Sequence, residues 1–155
     1  MKIVNIKFNF KIFTVVICSI IFLLSICFLS SLFNSQIIMT NENYSQILKN
    51  VHDNIDKYIG KKITTTGYIF RANDFSQNQF VIARDMIVSE NDYRIVGFLC
   101  ENDNIKDFEN NVWVRATGTI TSKDYHGPMP VIEVYEITRI TTPNQTQIFP
   151  PNNSI

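Results

Sequence analysis

The sequence predicts a mainly β protein: a five-stranded Greek-key barrel preceded by an amphipathic helix and an N-terminal transmembrane helix. Three observations predict it. An uncharged apolar run fills Ile12–Phe33. A stripe of apolar residues at helical spacing starts at Tyr44. After Gly60 the chain divides into five runs rich in Thr, Ile, Val and aromatic residues, with a short helical piece between the third and fourth. That order is the order of an OB-like barrel.

Ile12–Phe33 (IFTVVICSIIFLLSICFLSSLF) carries no charge. At ~1.5 Å per residue a helix of this length reaches ~30 Å, the hydrocarbon thickness of a bilayer. Lys2, Lys7 and Lys11 precede it, and no Lys or Arg follows until Lys49. The positive-inside rule therefore expects residues 1–11 in the cytoplasm and the remainder outside it, on a single-pass anchor in the cell membrane. A cleaved signal peptide would have a shorter apolar region ending in a small-residue site such as A-x-A, and no such site stands near Ser30–Gln36. A lipoprotein reading would use L-S-I-C at Leu24–Cys27, where Ile26 is bulky. All three readings export the same domain.

Residues 34–43 read as a polar linker. Tyr44, Ile47, Leu48, Val51 and Ile55 then mark one face of a helix, with Asn43 or Thr40 to cap it and Gly60 to end it. The strands follow: Lys61–Arg71, Gln79–Val88, Tyr93–Glu101, Asn111–Lys123 and Pro130–Ile140. Asn104–Asn110 is the short helix or turn. In the fourth strand Val112, Val114, Ala116, Gly118 and Ile120 share one face, and Trp113, Arg115, Thr117 and Thr119 the other. In the fifth, Ile132, Val134 and Glu136 alternate with Val131, Glu133 and Tyr135. Gly67 and Gly118 sit inside strands, as a small barrel needs where it bends. The helix and barrel span 44–143, and 144–155 reads as a flexible tail. The competing β architectures are a meander or a small sandwich.

The formal net charge is zero but unevenly placed. The three N-terminal lysines leave eleven Lys and Arg against fourteen Asp and Glu in the rest. A mildly acidic exported domain is a poor nucleic-acid binder. Cys18 and Cys27 lie in the apolar run and Cys100 is alone outside it, so no internal disulfide staples the domain. His52 and His126 have no metal-ligand spacing. The Asn- and Ile-rich usage points to an AT-rich bacterial genome, which makes the N-x-S/T matches at Asn43, Asn144 and Asn152 chance products.

Several blocks in order carry a resemblance: GKKITTTGYIFR, QFVIAR, VGFLCE, WVRATGTI, PVIEV and a tail ending FPP. Over about Tyr44–Pro151 the chain resembles the C-terminal domain of a bacterial family of YcgQ-type subunits, assigned to two-component membrane permease complexes. The resemblance implies an exported OB-like domain working beside a separate polytopic permease. Many members carry a Cys-Cys pair after the A-R block; this chain has Val88-Ser89-Glu90-Asn91-Asp92 there, and Ser89 does not replace a thiolate. Members commonly have more membrane sequence upstream than the one segment found here.

No catalytic motif is present: no G-x-S-x-G, no H-E-x-x-H and no phosphate-binding loop. The expected function is a non-catalytic accessory subunit without cofactor or metal. The alternative is a stand-alone exported module binding a metal ion or an anion. An envelope enzyme is the third reading: a Ser-His-Asp site would have to draw on His52 or His126, and activity that vanished on Arg84→Ala or Cys100→Ser would revive it.

Binding candidates are Arg84, Tyr68, Phe70, Arg71, Trp113 and Arg115. Arg84 interrupts an apolar strand beside Asp85. A bulge near it is expected to reset the register, sending one charge outward and the other to the rim. Its bland role is an ion pair with Asp85, Glu101 or another carboxylate; its functional role is a bidentate contact to an anion or partner. Tyr68, Phe70, Arg71, Trp113 and Arg115 are placed where OB-like barrels carry stacking aromatics beside basic groups. Trp113 is otherwise expected to pack beneath the Tyr44–Ile59 helix.

Overall fold

The computed structural model describes residues 16–25, 36–125 and 127–151. Residues 16–25 form one helix, α1. It forms a unit separate from the one that starts at Gln36. The expected span Ile12–Phe33 otherwise lies outside the described residues. No described helix is long and apolar enough to cross a membrane.

From Gln36 the chain forms a closed five-stranded barrel. Its strands are β2 (Lys62–Phe70), β3 (Gln79–Ser89), β4 (Asp92–Glu101), β5 (Trp113–Asp124) and β6 (Pro128–Arg139). The neighbours run β2-β5-β6-β4-β3, and β3 returns to pair with β2. Four of these contacts are antiparallel; β4 and β6 run parallel, Leu99 opposite Val131. The fold is mainly β and OB-like, as the strand order predicts.

Two short strands extend the expected set. β1 (Ile37–Ile38) lies parallel on β2, in the segment read as a linker. β7 (Gln147–Ile148) lies parallel on β3, in the segment read as a flexible tail. Met39 and Ile148 are buried in the barrel core. Both ends of the domain thus belong to the sheet.

The core follows from alternation. On β2, Ile63, Thr65 and Ile69 point in; on β5, Val114, Ala116 and Ile120 do. Phe80, Phe98 and Cys100 complete it from β3 and β4. Each fully buried aliphatic or Phe side chain contributes about 1.5–3 kcal/mol of transfer free energy. The alternation fails on β6, where the register with β5 shifts between Thr117 and Gly118. Val134 pairs with Gly118 and Glu136 with Thr117, so Tyr135 is the extra residue. Ile137 therefore follows Ile132 and Val134 inward, and Glu136 turns to solvent. Gly118 makes that approach possible: a Cβ there would sit 2.5 Å from the Glu133 carbonyl oxygen.

The apolar stripe forms α2 (Tyr44–Asp53), shorter than expected, followed by a 3-10 turn at Ile55–Lys57 and by Gly60 at φ +80°. Tyr44, Val51 and Ile55 are buried and Ile47 and Leu48 pack on the core. Asn43 occupies the cap position without capping. Its side chain turns back, accepting from the Thr40 amide at 2.7 Å and donating to the Ile38 carbonyl at 3.1 Å. It fixes the bend between β1 and α2 instead.

Candidate binding site around Arg84

β2 and β3 pair only at Tyr68–Ala83, Ile69–Ile82 and Phe70–Val81. Beyond that point they part. β2 goes on with β5 and takes β1 on its free edge, while β3 takes β7. Gly67 marks the parting: a Cβ there would lie 2.4 Å from the Ala83 carbonyl oxygen. The next β3 residue is Arg84, and its guanidinium fills the seam.

Arg84 is 2% exposed. Its Nε donates to the Thr146 carbonyl at 3.0 Å. Nη2 donates to Asn41 Oδ1 at 2.6 Å and to the Gln145 carbonyl at 3.1 Å. Nη1 donates to the Thr66 carbonyl at 3.3 Å. One cation thus ties β2, β3, the approach to α2 and the C-terminal segment. Aromatic rings flank it, with centroids at 5.6 Å (Tyr44) and 5.1 Å (Trp113). Their negative faces stabilise a cation withdrawn from water. Burial lowers the Arg84 pKa, opposed by the fields of Tyr44 and Asp85; an arginine stays charged all the same.

This geometry corrects the expectations for Arg84. No bulge lies beside it; the β3–β4 register shift falls between Ile87 and Ser89. The charge points inward. Among the described residues it has no carboxylate in ion-pair range: Glu101 pairs with Lys123, and Asp85 Oδ1 accepts from the Tyr68 hydroxyl at 2.7 Å. Burial, and then the Asp85 bond, push the Tyr68 phenol up.

Trp113 packs edge-on against Tyr68, centroids 5.9 Å apart, and against Arg84. α2 instead touches β6 and stacks His52 on Phe98 at 5.4 Å. Phe70 stays half-buried on the outer face of β2. Arg115 is exposed on β5, opposite Thr66. Tyr68, Trp113 and Arg84 are therefore one cluster, with Arg115 two residues along β5 from Trp113. Arg71 is not part of it. Its Nη2 donates to the Ile105 and Phe108 carbonyls, each at 2.7 Å, and Nη1 to Asn110 Oδ1 at 3.1 Å. It fastens the β4–β5 connection.

Two cavities open beside the cluster. One, of about 550 Å³, is lined by Thr64, Thr66, Arg84, Arg115 and the 38–42 segment. The other, of about 470 Å³, lies between the start of α2 and Phe149–Pro151. Asn41 and Glu42 line both. Sequence reasoning missed Tyr44, Asn41, Gln145 and Thr146 as partners of Arg84. Only the apolar Ile148–Phe149 within the polar tail hinted that this segment returns to the barrel.

Cys100 is buried, its thiol 3.4 Å from the Phe98 carbonyl, and burial pushes its pKa up. That suits a small core residue rather than a reactive thiol. His52 hydrogen-bonds the Leu48 carbonyl through Nδ1 at 2.8 Å. His126 lies outside the described residues. No grouping of three metal-binding side chains occurs among the described residues.

Residues 29–150 match the model of the family described as DUF1980 C-terminal domain. Among solved structures, the chain is similar to the N-terminal domain of PriB protein from Thermoanaerobacter tencongensis. Identity is 16% and the TM-score 0.38, covering 52% of this chain and 97% of that one. It is also similar to Rim1, a mitochondrial single-stranded DNA binding protein of S. cerevisiae. There the identity is 12% and the TM-score 0.37, covering 54% and 97%. No curated protein matches the chain.

Proposed function

Because the chain belongs to the DUF1980 C-terminal domain family, we propose that it is a non-catalytic accessory subunit of a membrane permease complex. In this reading residues 12–33 anchor it in the bilayer and the barrel stands outside the cytoplasm. The uncharged run and the lysines before it support the anchor and its orientation. The observation that carries the binding role is the outer face of β2 and β5. There Phe70 and Tyr68 are half-buried, Arg115 is exposed, and Tyr68 is packed edge-on by Trp113, which is itself covered by the Arg84 guanidinium. Aromatic residues and arginine on a fixed scaffold are the usual anchors of a protein interface. The acidic balance of the barrel supports a protein partner over nucleic acid.

The test is site-specific photo-crosslinking in intact cells. A crosslinker at position 70 or 115 is expected to capture a polytopic membrane protein, and one at Tyr135, exposed on β6, is not. Equal capture from all three positions, or none from 70 and 115, would sink the docking role. Protease added to intact cells should digest the barrel. Digestion only in inverted vesicles would reverse the orientation.

A further inference from the structure

A guanidinium carries five N–H donors. For Arg84 four acceptors are accounted for: Thr146, Asn41, Gln145 and Thr66. Among the described residues, one Nη1 hydrogen has no acceptor, and the buried charge has no counter-ion. Burying a charge without an ionic partner is costly, so an anion that reached the free hydrogen would offset part of that cost. The unpartnered hydrogen is on the nitrogen that bonds Thr66, and Thr66 is the register partner of Arg115. Both arginines line the same cavity, whose volume of about 550 Å³ is that of a small-molecule site.

We propose that this cavity binds a carboxylate-bearing small molecule, whose carboxylate accepts from Arg84 Nη1 and from the Arg115 guanidinium. Two arginines at one cavity provide the forked donors that a planar carboxylate accepts. Glu42 lines the same cavity and opposes a second negative charge. That selects a monoanionic group over a doubly charged tetrahedral one. The site shares Arg115 with the proposed docking face and differs from it in what it predicts: docking needs a protein, and this site needs only a solute.

The test uses the full chain in detergent, with the thermal unfolding midpoint followed against sodium acetate. Sodium sulfate and sodium chloride at equal ionic strength serve as references. Acetate is expected to raise the midpoint above the chloride reference and to saturate, while the sulfate effect grows without saturating. Arg115→Gln, an exposed position, should leave the midpoint in chloride unchanged and weaken acetate binding about tenfold, the loss of one charge-assisted hydrogen bond. Arg84→Lys keeps the charge but lacks the fork and should abolish the acetate response even where it folds. A sulfate response that saturates at lower concentration than that of acetate overturns the assignment, since general salt stabilisation by sulfate does not saturate. So does an absent acetate effect in the unmodified chain, or an Arg115→Gln variant that responds as strongly.

Discussion

The barrel is sealed in two places by opposite means. Under α2 the seal is hydrocarbon: Val51 and Phe98 are buried, Leu48 packs beside them, and the His52 ring stacks on Phe98. At the seam where β2 and β3 part, the seal is one guanidinium holding three carbonyls and a carboxamide from distant segments. Hydrocarbon seals by area and tolerates similar shapes. The guanidinium seals by direction, and each acceptor it holds is left without its donor when it goes. The first closure is robust and anonymous. The second is specific, and it lies next to the surface on which function is proposed.

Cutting each seal exposes the difference. The largest effect is expected from Phe98→Ala, which empties a buried ring and should cost about 3–5 kcal/mol in denaturant unfolding of the full chain. It should destabilise the whole barrel as one unit. Arg84→Met should cost roughly 3 kcal/mol, because it strands buried acceptors. Its loss should concentrate at Gln145–Ile148 and Asn41, not spread across β5 and β6. Gly67→Ala places a Cβ against the Ala83 carbonyl and should cost about 1–3 kcal/mol by overpacking the parting of the strands.

The hydrocarbon seal was legible in the sequence and the polar one was not. Tyr44, Ile47, Leu48, Val51 and Ile55 announce a helix face because helical packing imposes a period. The five strands and their order followed from alternation in the same way. Arg84 stood out only as an interruption. Its partners are mostly main-chain carbonyls, and every residue has one, so composition and spacing carry no trace of them. For the same reason β1 and β7 were read as linker and tail: two residues are too few to show a period. Glu136 was misplaced because one extra residue at Tyr135 shifts the phase, and a strand's text does not show its bulge. Trp113 and Tyr68 were singled out from their strands, but their association with Arg84 depends on the β2–β3 divergence.

Smaller substitutions sharpen the contrast. Tyr44→Phe keeps the ring beside Arg84 and removes the hydroxyl that donates to the Ile82 carbonyl at 3.1 Å. A loss of about 1 kcal/mol is expected. The smallest effect belongs to Glu101→Gln on the outer surface, about 0.5 kcal/mol, since Lys123 is well exposed. Burial of Glu101 opposes ionisation, but the bonds from Lys123 and Gln79 outweigh it and hold the carboxyl below its ordinary value. Its contribution is present above the ordinary glutamate range. It fades as pH falls through the folded-state value, and a pH series on Glu101→Gln should lack that component.

The most direct test is hydrogen exchange on the full chain with and without Arg84→Met, read at Gln147 and Ile148 against Val114 and Ile120. If the guanidinium holds the chain ends to the barrel, the two β7 amides lose protection while the β5 amides keep theirs relative to global stability. If β7 stays protected, or if both regions lose protection together, the C-terminal segment is held by something other than Arg84.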